Sequence, residues 1–67
     1  LIRFYLDWET IGGASGHECY IDDYEALCDM EELITDPEVV VASVNRIETY
    51  GGMVWDVTTI REFERGE

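Results

Sequence analysis

The sequence has no lysine, one histidine, one proline and two cysteines, and its only basic side chains are Arg3, Arg46, Arg61 and Arg65. Four scattered arginines cannot neutralise a run of phosphates, so direct binding to nucleic acid or to an anionic lipid surface is excluded. There is no stretch of about 18 apolar residues, which excludes a membrane-spanning helix. With no secretory leader ahead of the cysteines, the expectation is a soluble cytoplasmic protein, in the host cytoplasm if the source is viral. His17, Cys19 and Cys28 offer three metal ligands, but their spacing matches none of the short paired knuckles of zinc sites. The two thiols read as small buried hydrophobes, while a disulfide between them is an alternative that one pair of cysteines does not establish. Gly12, Gly13, Ala14, Ser15 and Gly16 lack the following lysine and the spacing of a phosphate loop and read as a turn. The Asp-rich calcium loop with its central glycine is absent, and a single histidine in a polar loop gives no recognisable Ser, His and Asp setting. No catalytic residue, metal or cofactor is therefore expected, and the chain is read as not an enzyme.

Acid is what the chain has in excess. Its 67 residues carry 16 Asp and Glu and a formal net charge of −12. Nine of these acids, Glu18, Asp22, Asp23, Glu25, Asp29, Glu31, Glu32, Asp36 and Glu38, fall between His17 and Glu38 with no basic residue among them. A disordered acidic tail would be poor in aromatics, whereas this chain is 46% hydrophobic with two Trp, four Tyr and two Phe. The expectation is one folded domain over residues 1–67, small enough that burial leaves a thin margin of stability. Self-repulsion erodes that margin further at low ionic strength.

Periodicity sets out the elements. Ile2, Phe4, Leu6 and Trp8 alternate with Arg3, Tyr5, Asp7 and Glu9, the pattern of a strand with one buried face. After the glycine-rich turn, His17 to Ile21 reads as a strand paired back on the first. Asp22 or Asp23 provides a helix N-cap, Glu25 completes a capping box with Asp22, and Pro37 closes a helix predicted over 23–35. Ala26, Leu27, Met30, Leu33 and Ile34 share its apolar side. Val39 to Tyr50 and Met53 to Phe63 read as a hairpin around a type I′ turn at Gly51-Gly52. Unbroken register from that turn sets Tyr50 against Met53, Glu48 against Trp55, Arg46 against Val57 and Val44 against Thr59. Arg46 and Glu48 then share a face with the aromatic residues, so either they form an ion pair at the core's edge or a bulge near Asn45 switches the pattern. The fold class is α+β, a small antiparallel sheet in the order β-β-α-β-β with one helix packed on one face.

On that helix Glu25, Asp29, Glu32 and Asp36 follow at steps of four, three and four, a line of carboxylates along or beside the exposed side. Asp22 and Glu18 extend it at one end and Glu38 at the other. Neighbours about 5–6 Å apart repel one another, and helices selected only for solubility mix their signs. Such a line can stand in for a phosphate backbone in a groove lined with Arg and Lys. Two plainer readings are a solvated face and salt adaptation. Salt adaptation spreads acids over a surface, whereas residues 39 to 61 hold only Glu48 and Asp56 against Arg46 and Arg61.

A short, highly acidic chain with this element order resembles the phage-encoded inhibitors, among them anti-CRISPR proteins and other DNA mimics. Arg46-Ile47-Glu48-Thr49, followed by Gly52 and Trp55, is similar to a hairpin of a small anti-CRISPR of the type I class. The resemblance implies a stoichiometric inhibitor whose partner is a basic nucleic-acid-binding host protein, such as a CRISPR-Cas component. The acidic run supplies the candidate partner-binding residues, Asp22, Asp23, Glu25, Asp29, Glu31, Glu32, Asp36 and Glu38. The alternative is a non-catalytic interaction module, antitoxin-like or an assembly component, that uses an uncovered sheet face and its aromatic side chains.

Overall fold

Alternating apolar residues, one amphipathic helical segment and a double-glycine turn generate five elements in the computed structural model, which describes residues 1–66. They are β1 (Ile2–Thr10), β2 (Ser15–Tyr20), α1 (Asp23–Leu33), β3 (Val39–Tyr50) and β4 (Met53–Glu64). The strands form one antiparallel sheet in the order β2-β1-β3-β4. The α+β class and the order β-β-α-β-β follow the sequence reading. Helix α1 packs across β3, β1 and β2, so the second layer covers one end of one face in a molecule measuring 41 × 21 × 16 Å.

The core is small. Leu6, Ala26, Met30, Val39, Ala42 and Val44 are buried, with Phe4, Trp8, Tyr20, Leu27, Leu33, Ile34 and Phe63 packed around them. Leu6 lies opposite Val44, and Trp8 opposite Ala42, which puts the even-numbered positions of β1 and of β3 from Ala42 onward on the helix side of the sheet; the shift at Glu9/Thr10 brings Val39 to the same side. Small Ala26 and Ala42 let the two layers approach, and Met30 fills the space between them. Trp8 also lies opposite Gly16 on β2, where its indole occupies the volume a side chain would take: a Cβ on Gly16 would stand 1.9 Å from Cζ2. Gly16 therefore acts as a seat for an aromatic ring rather than as a flexible link.

Helix α1 starts where predicted. The Asp22 carboxylate accepts a hydrogen bond from the Tyr24 amide at 2.8 Å, while Asp23 and Glu25 occupy the first turn, where the positive end of the helix dipole favours acid. A reciprocal bond from Glu25 is absent among the described residues, so the capping box is half formed. The helix ends at Leu33 rather than Thr35. The Thr35 hydroxyl donates to the Glu32 carbonyl at 2.6 Å and the Asp36 amide to the Leu33 carbonyl at 3.1 Å, tightening the last turn before Pro37, whose ring disfavours helix at the residue ahead of it. No basic residue lies in the last turn. Arg65 supplies the cation instead, donating from Nε to the Val39 carbonyl and from Nη2 to those of Ile34 and Asp36, at 2.9, 2.9 and 3.1 Å.

The β3–β4 hairpin corrects the predicted register. Gly51 and Gly52 both take positive φ, 59° and 81°, as a type I′ turn requires, and Tyr50 faces Met53 as expected. Beyond that pair Trp55 and then Ile60 bulge out of β4. Glu48 consequently faces Asp56, Arg46 faces Thr58 and Val44 faces Arg61. Both bulges belong to β4, so β3 keeps its alternation and Arg46 and Glu48 stay on the helix side of the sheet. They form the expected ion pair, Nη2 to Oε1 at 3.5 Å, with Asp56 at 3.9 Å from Nη1. The bulge expected near Asn45 is present too, but its extra residue is Ile60 on β4, so it does not switch the faces of β3. An eleven-residue helix is about 16 Å long, whereas the twelve residues of β3 extend roughly 40 Å. The charged cluster lies where the helix no longer reaches.

Candidate functional site

Of the eight predicted acids, Asp23, Glu25, Asp29, Glu31 and Glu32 lie within α1, while Asp22 caps it and Asp36 and Glu38 lie beyond its end. Asp29 turns toward β2, where its Oδ2 accepts the Tyr20 hydroxyl at 2.6 Å. Glu25 and Glu32 follow on the same flank at helical steps, and Asp36, past the helix end, borders the same groove. Glu18 joins them from β2 because its partner on β1 is Leu6, which fixes it on the helix side of the sheet. Together Glu18, Asp29, Glu32 and Asp36 rim a groove of about 370 Å³ with Leu6, Trp8, Tyr20 and Leu33 along its walls and floor.

Glu31 lies on the opposite flank and pairs with Arg61 of β4. Asp22 and Asp23 sit at the helix N-terminus, where Asp22 is engaged in capping. Glu38 stands beyond the helix with its amide bonded to the Asp36 carboxylate at 2.9 Å. The ridge therefore comprises Glu18, Glu25, Asp29, Glu32 and Asp36. All five are exposed, and no salt bridge among the described residues involves them. Three arginines are committed elsewhere: Arg46 to Glu48 and Asp56, Arg61 to Glu31, and Arg65 to backbone carbonyls. The fourth, Arg3, donates to the Ile2 carbonyl at 2.9 Å.

The potential of this ridge acts on Tyr20. Burial, then the hydrogen bond to Asp29, then the charges of Asp29, Glu18 and Glu25 push its phenol well above the ordinary value of 10.0. The neutral phenol is thus held as a donor to Asp29, and the ridge keeps an ordered rotamer on the sheet side.

The opposite face of the sheet brings together residues that sequence reading kept apart. Asp7 and His17 are directly opposed on β1 and β2; the His17 Nδ1 is hydrogen-bonded to the Asp7 carboxylate, and Tyr5 stacks on the imidazole at 5.1 Å between centroids. His17 is therefore a strand residue, as the reading of His17 to Ile21 as a strand had it, and not the polar loop residue of the other reading. The hairpin register about the glycine turn was the signal that would have found it. Ser43 is paired with Asp7 from the other side, giving the order Ser43, Asp7, His17 across three strands. A nucleophilic relay places histidine in the middle; here the acid is in the middle. These residues border a shallow depression of about 570 Å³.

Cys19 faces this open side opposite Tyr5, and Cys28 is exposed on α1 in the other layer. Both thiols are free, exposed where sequence reading took them as buried, and on different sides of the molecule. Among the described residues no group of three or more His, Cys, Asp or Glu side chains is arranged to hold a metal ion, and no helix is long and apolar enough to cross a membrane.

No family model, curated protein or solved structure matches the chain.

Proposed function

We propose that this chain is a small acidic inhibitor that occupies the nucleic-acid-binding surface of a basic partner, presenting the α1 ridge in place of a phosphate backbone. One observation carries the reading. Glu18, Glu25, Asp29, Glu32 and Asp36 form a single exposed flank with no basic partner among the described residues, although the chain has four arginines. Neighbouring carboxylates about 5–6 Å apart repel by a few tenths of a kcal/mol per pair. An arginine at any one of these positions would have relieved that cost. The repulsion is offset when a cationic groove closes over the ridge and releases its own counterions. A CRISPR-Cas component is one class of protein with such a groove. Asp22, Asp23, Glu31 and Glu38 flank the ridge and add to the long-range field.

The test is capture of a partner from the native host at low salt, identification of what elutes on a salt wash, and competition against duplex nucleic acid. Affinity falls steeply between low and physiological ionic strength, and reversing Asp29, Glu32 and Asp36 together to lysine abolishes inhibition. Full inhibition by that triple variant would end the proposal. The interaction-module reading rests on the uncovered sheet face around Tyr5. It requires binding that resists salt and is lost on Tyr5→Ala.

A further inference from the structure

The acids beside β2 border a recess as well as a ridge. Glu18 stands on one wall of the cleft between β2 and α1, Glu32 and Asp36 on the other, with Leu6 and Trp8 in the floor. Strand register sets its two ends. Tyr20, opposite Phe4, donates its hydroxyl to Asp29 at 2.6 Å and bridges the walls at one end. At the other, Trp8 lies over Gly16, and Asp36 leads into Val39, the partner of Thr10.

The four bordering carboxylates differ in what they have left to bind. Asp29 accepts the Tyr20 hydroxyl and Asp36 the Glu38 amide, bonds that fix the walls. Among the described residues the Glu18 and Glu32 carboxylates accept no hydrogen bond and join no salt bridge. Two free acceptors therefore stand on opposite walls of a recess whose floor is apolar and aromatic. Their charge requires a cation, and the floor decides which. A lysine ammonium is a compact, strongly hydrated point charge. An arginine guanidinium is planar, more weakly hydrated, stacks on aromatic faces and forks its donors onto carboxylates. Its aliphatic stem lies along apolar surface, and an indole is the best aromatic face for a cation. A volume of about 370 Å³ is at the low end for a ligand cleft, ~300–1,000 Å³, the scale of a side chain rather than of a folded segment.

We propose that this cleft receives an arginine side chain of a basic protein partner, the guanidinium held between Glu18 and Glu32 and the stem lying against Leu6 and Trp8. The inference rests on the inhibitor reading for its partner. It adds what a line of charge does not supply, a preference for arginine over lysine.

The test is a titration with end-blocked tetra-arginine and tetra-lysine peptides at physiological ionic strength, read by the emission of Trp8 in a Trp55→Phe chain. Tetra-arginine shifts that emission and binds about tenfold more tightly than tetra-lysine. Glu18→Gln combined with Glu32→Gln lowers the arginine affinity about tenfold and removes the preference. Glu25→Gln combined with Glu38→Gln, the same change of charge outside the cleft, leaves the preference in place. All four side chains are exposed, so far-ultraviolet circular dichroism stays unchanged. Equal binding of the two peptides, or equal losses in the two double variants, would overturn the cleft while leaving the ridge to its own test of salt and duplex competition. An arginine-selective cleft in a chain that never displaces duplex from its partner would support the cleft and end the inhibitor reading.

Discussion

Replacing Gly16 by alanine sets a methyl group inside the volume of the Trp8 indole. The new Cβ would stand 1.9, 2.2 and 2.5 Å from Cζ2, Cε2 and Cη2, less than any carbon pair tolerates, and three ring atoms cannot be cleared by a small rotation. The indole must leave its seat, and with it goes part of the cover over Leu6 and Ala42. If half of the ~200 Å² of an aromatic side chain is re-exposed, the loss is about 2.5 kcal/mol at ~25 cal/mol per Å². The reduced freedom of the unfolded chain returns about 0.4–1 kcal/mol, leaving a net destabilisation of about 2 kcal/mol. In a domain of this size that lowers Tm by roughly 8–16 °C. The assay is thermal and urea unfolding in a Trp55→Phe background, so that emission reports Trp8 alone and shifts to the red as the ring meets water. Gly12→Ala is the control, since no atom lies within 4 Å of its Cβ and its φ is not in the left-handed region. A Gly16→Ala variant with unchanged Tm and unchanged Trp8 emission would refute the seating of the indole on Gly16.

Two further outcomes concern Arg65 and Tyr20, which hold the end and the flank of the helix. Arg65→Ala removes three charge-assisted bonds to the carbonyls of Ile34, Asp36 and Val39 and is expected to cost about 1–2 kcal/mol; amide exchange in α1 should accelerate at the C-terminal turn first. The Tyr20 phenol has a folded pKa above its unfolded value of 10.0, so the folded state retains its proton more tightly. The stability this confers is present below pH 10 and is lost as pH rises toward the raised value. In an ultraviolet titration Tyr20→Phe should remove the highest-titrating phenol, and it should flatten the decline of stability above pH 10.

Strand β1, the Asp22 cap and the Gly51-Gly52 turn were legible because each depends on local chemistry: alternation, a side chain that satisfies free amides, and residues that accept positive φ. The helix was legible in place but overran by two residues, since the competition of the Thr35 hydroxyl for the Glu32 carbonyl has no periodic signature. In the hairpin, counting back from the turn holds only for Tyr50 with Met53 and Thr49 with Val54. Each bulge costs one residue of register, and bulges in β4 arise from how the strand follows the twist of the sheet.

By itself the sequence determined the α+β class, the acidic run between His17 and Glu38 and the absence of any basic residue within it. Helical periodicity grouped Glu25, Asp29, Glu32 and Asp36. The tertiary structure decided which flank faces β2, that Glu18 joins it, that Glu31 leaves it for Arg61, and that Asp7 meets His17. Side-chain spacing along one element is set by its own backbone geometry, whereas charges from different elements become neighbours only through strand register and the seating of the helix on the sheet.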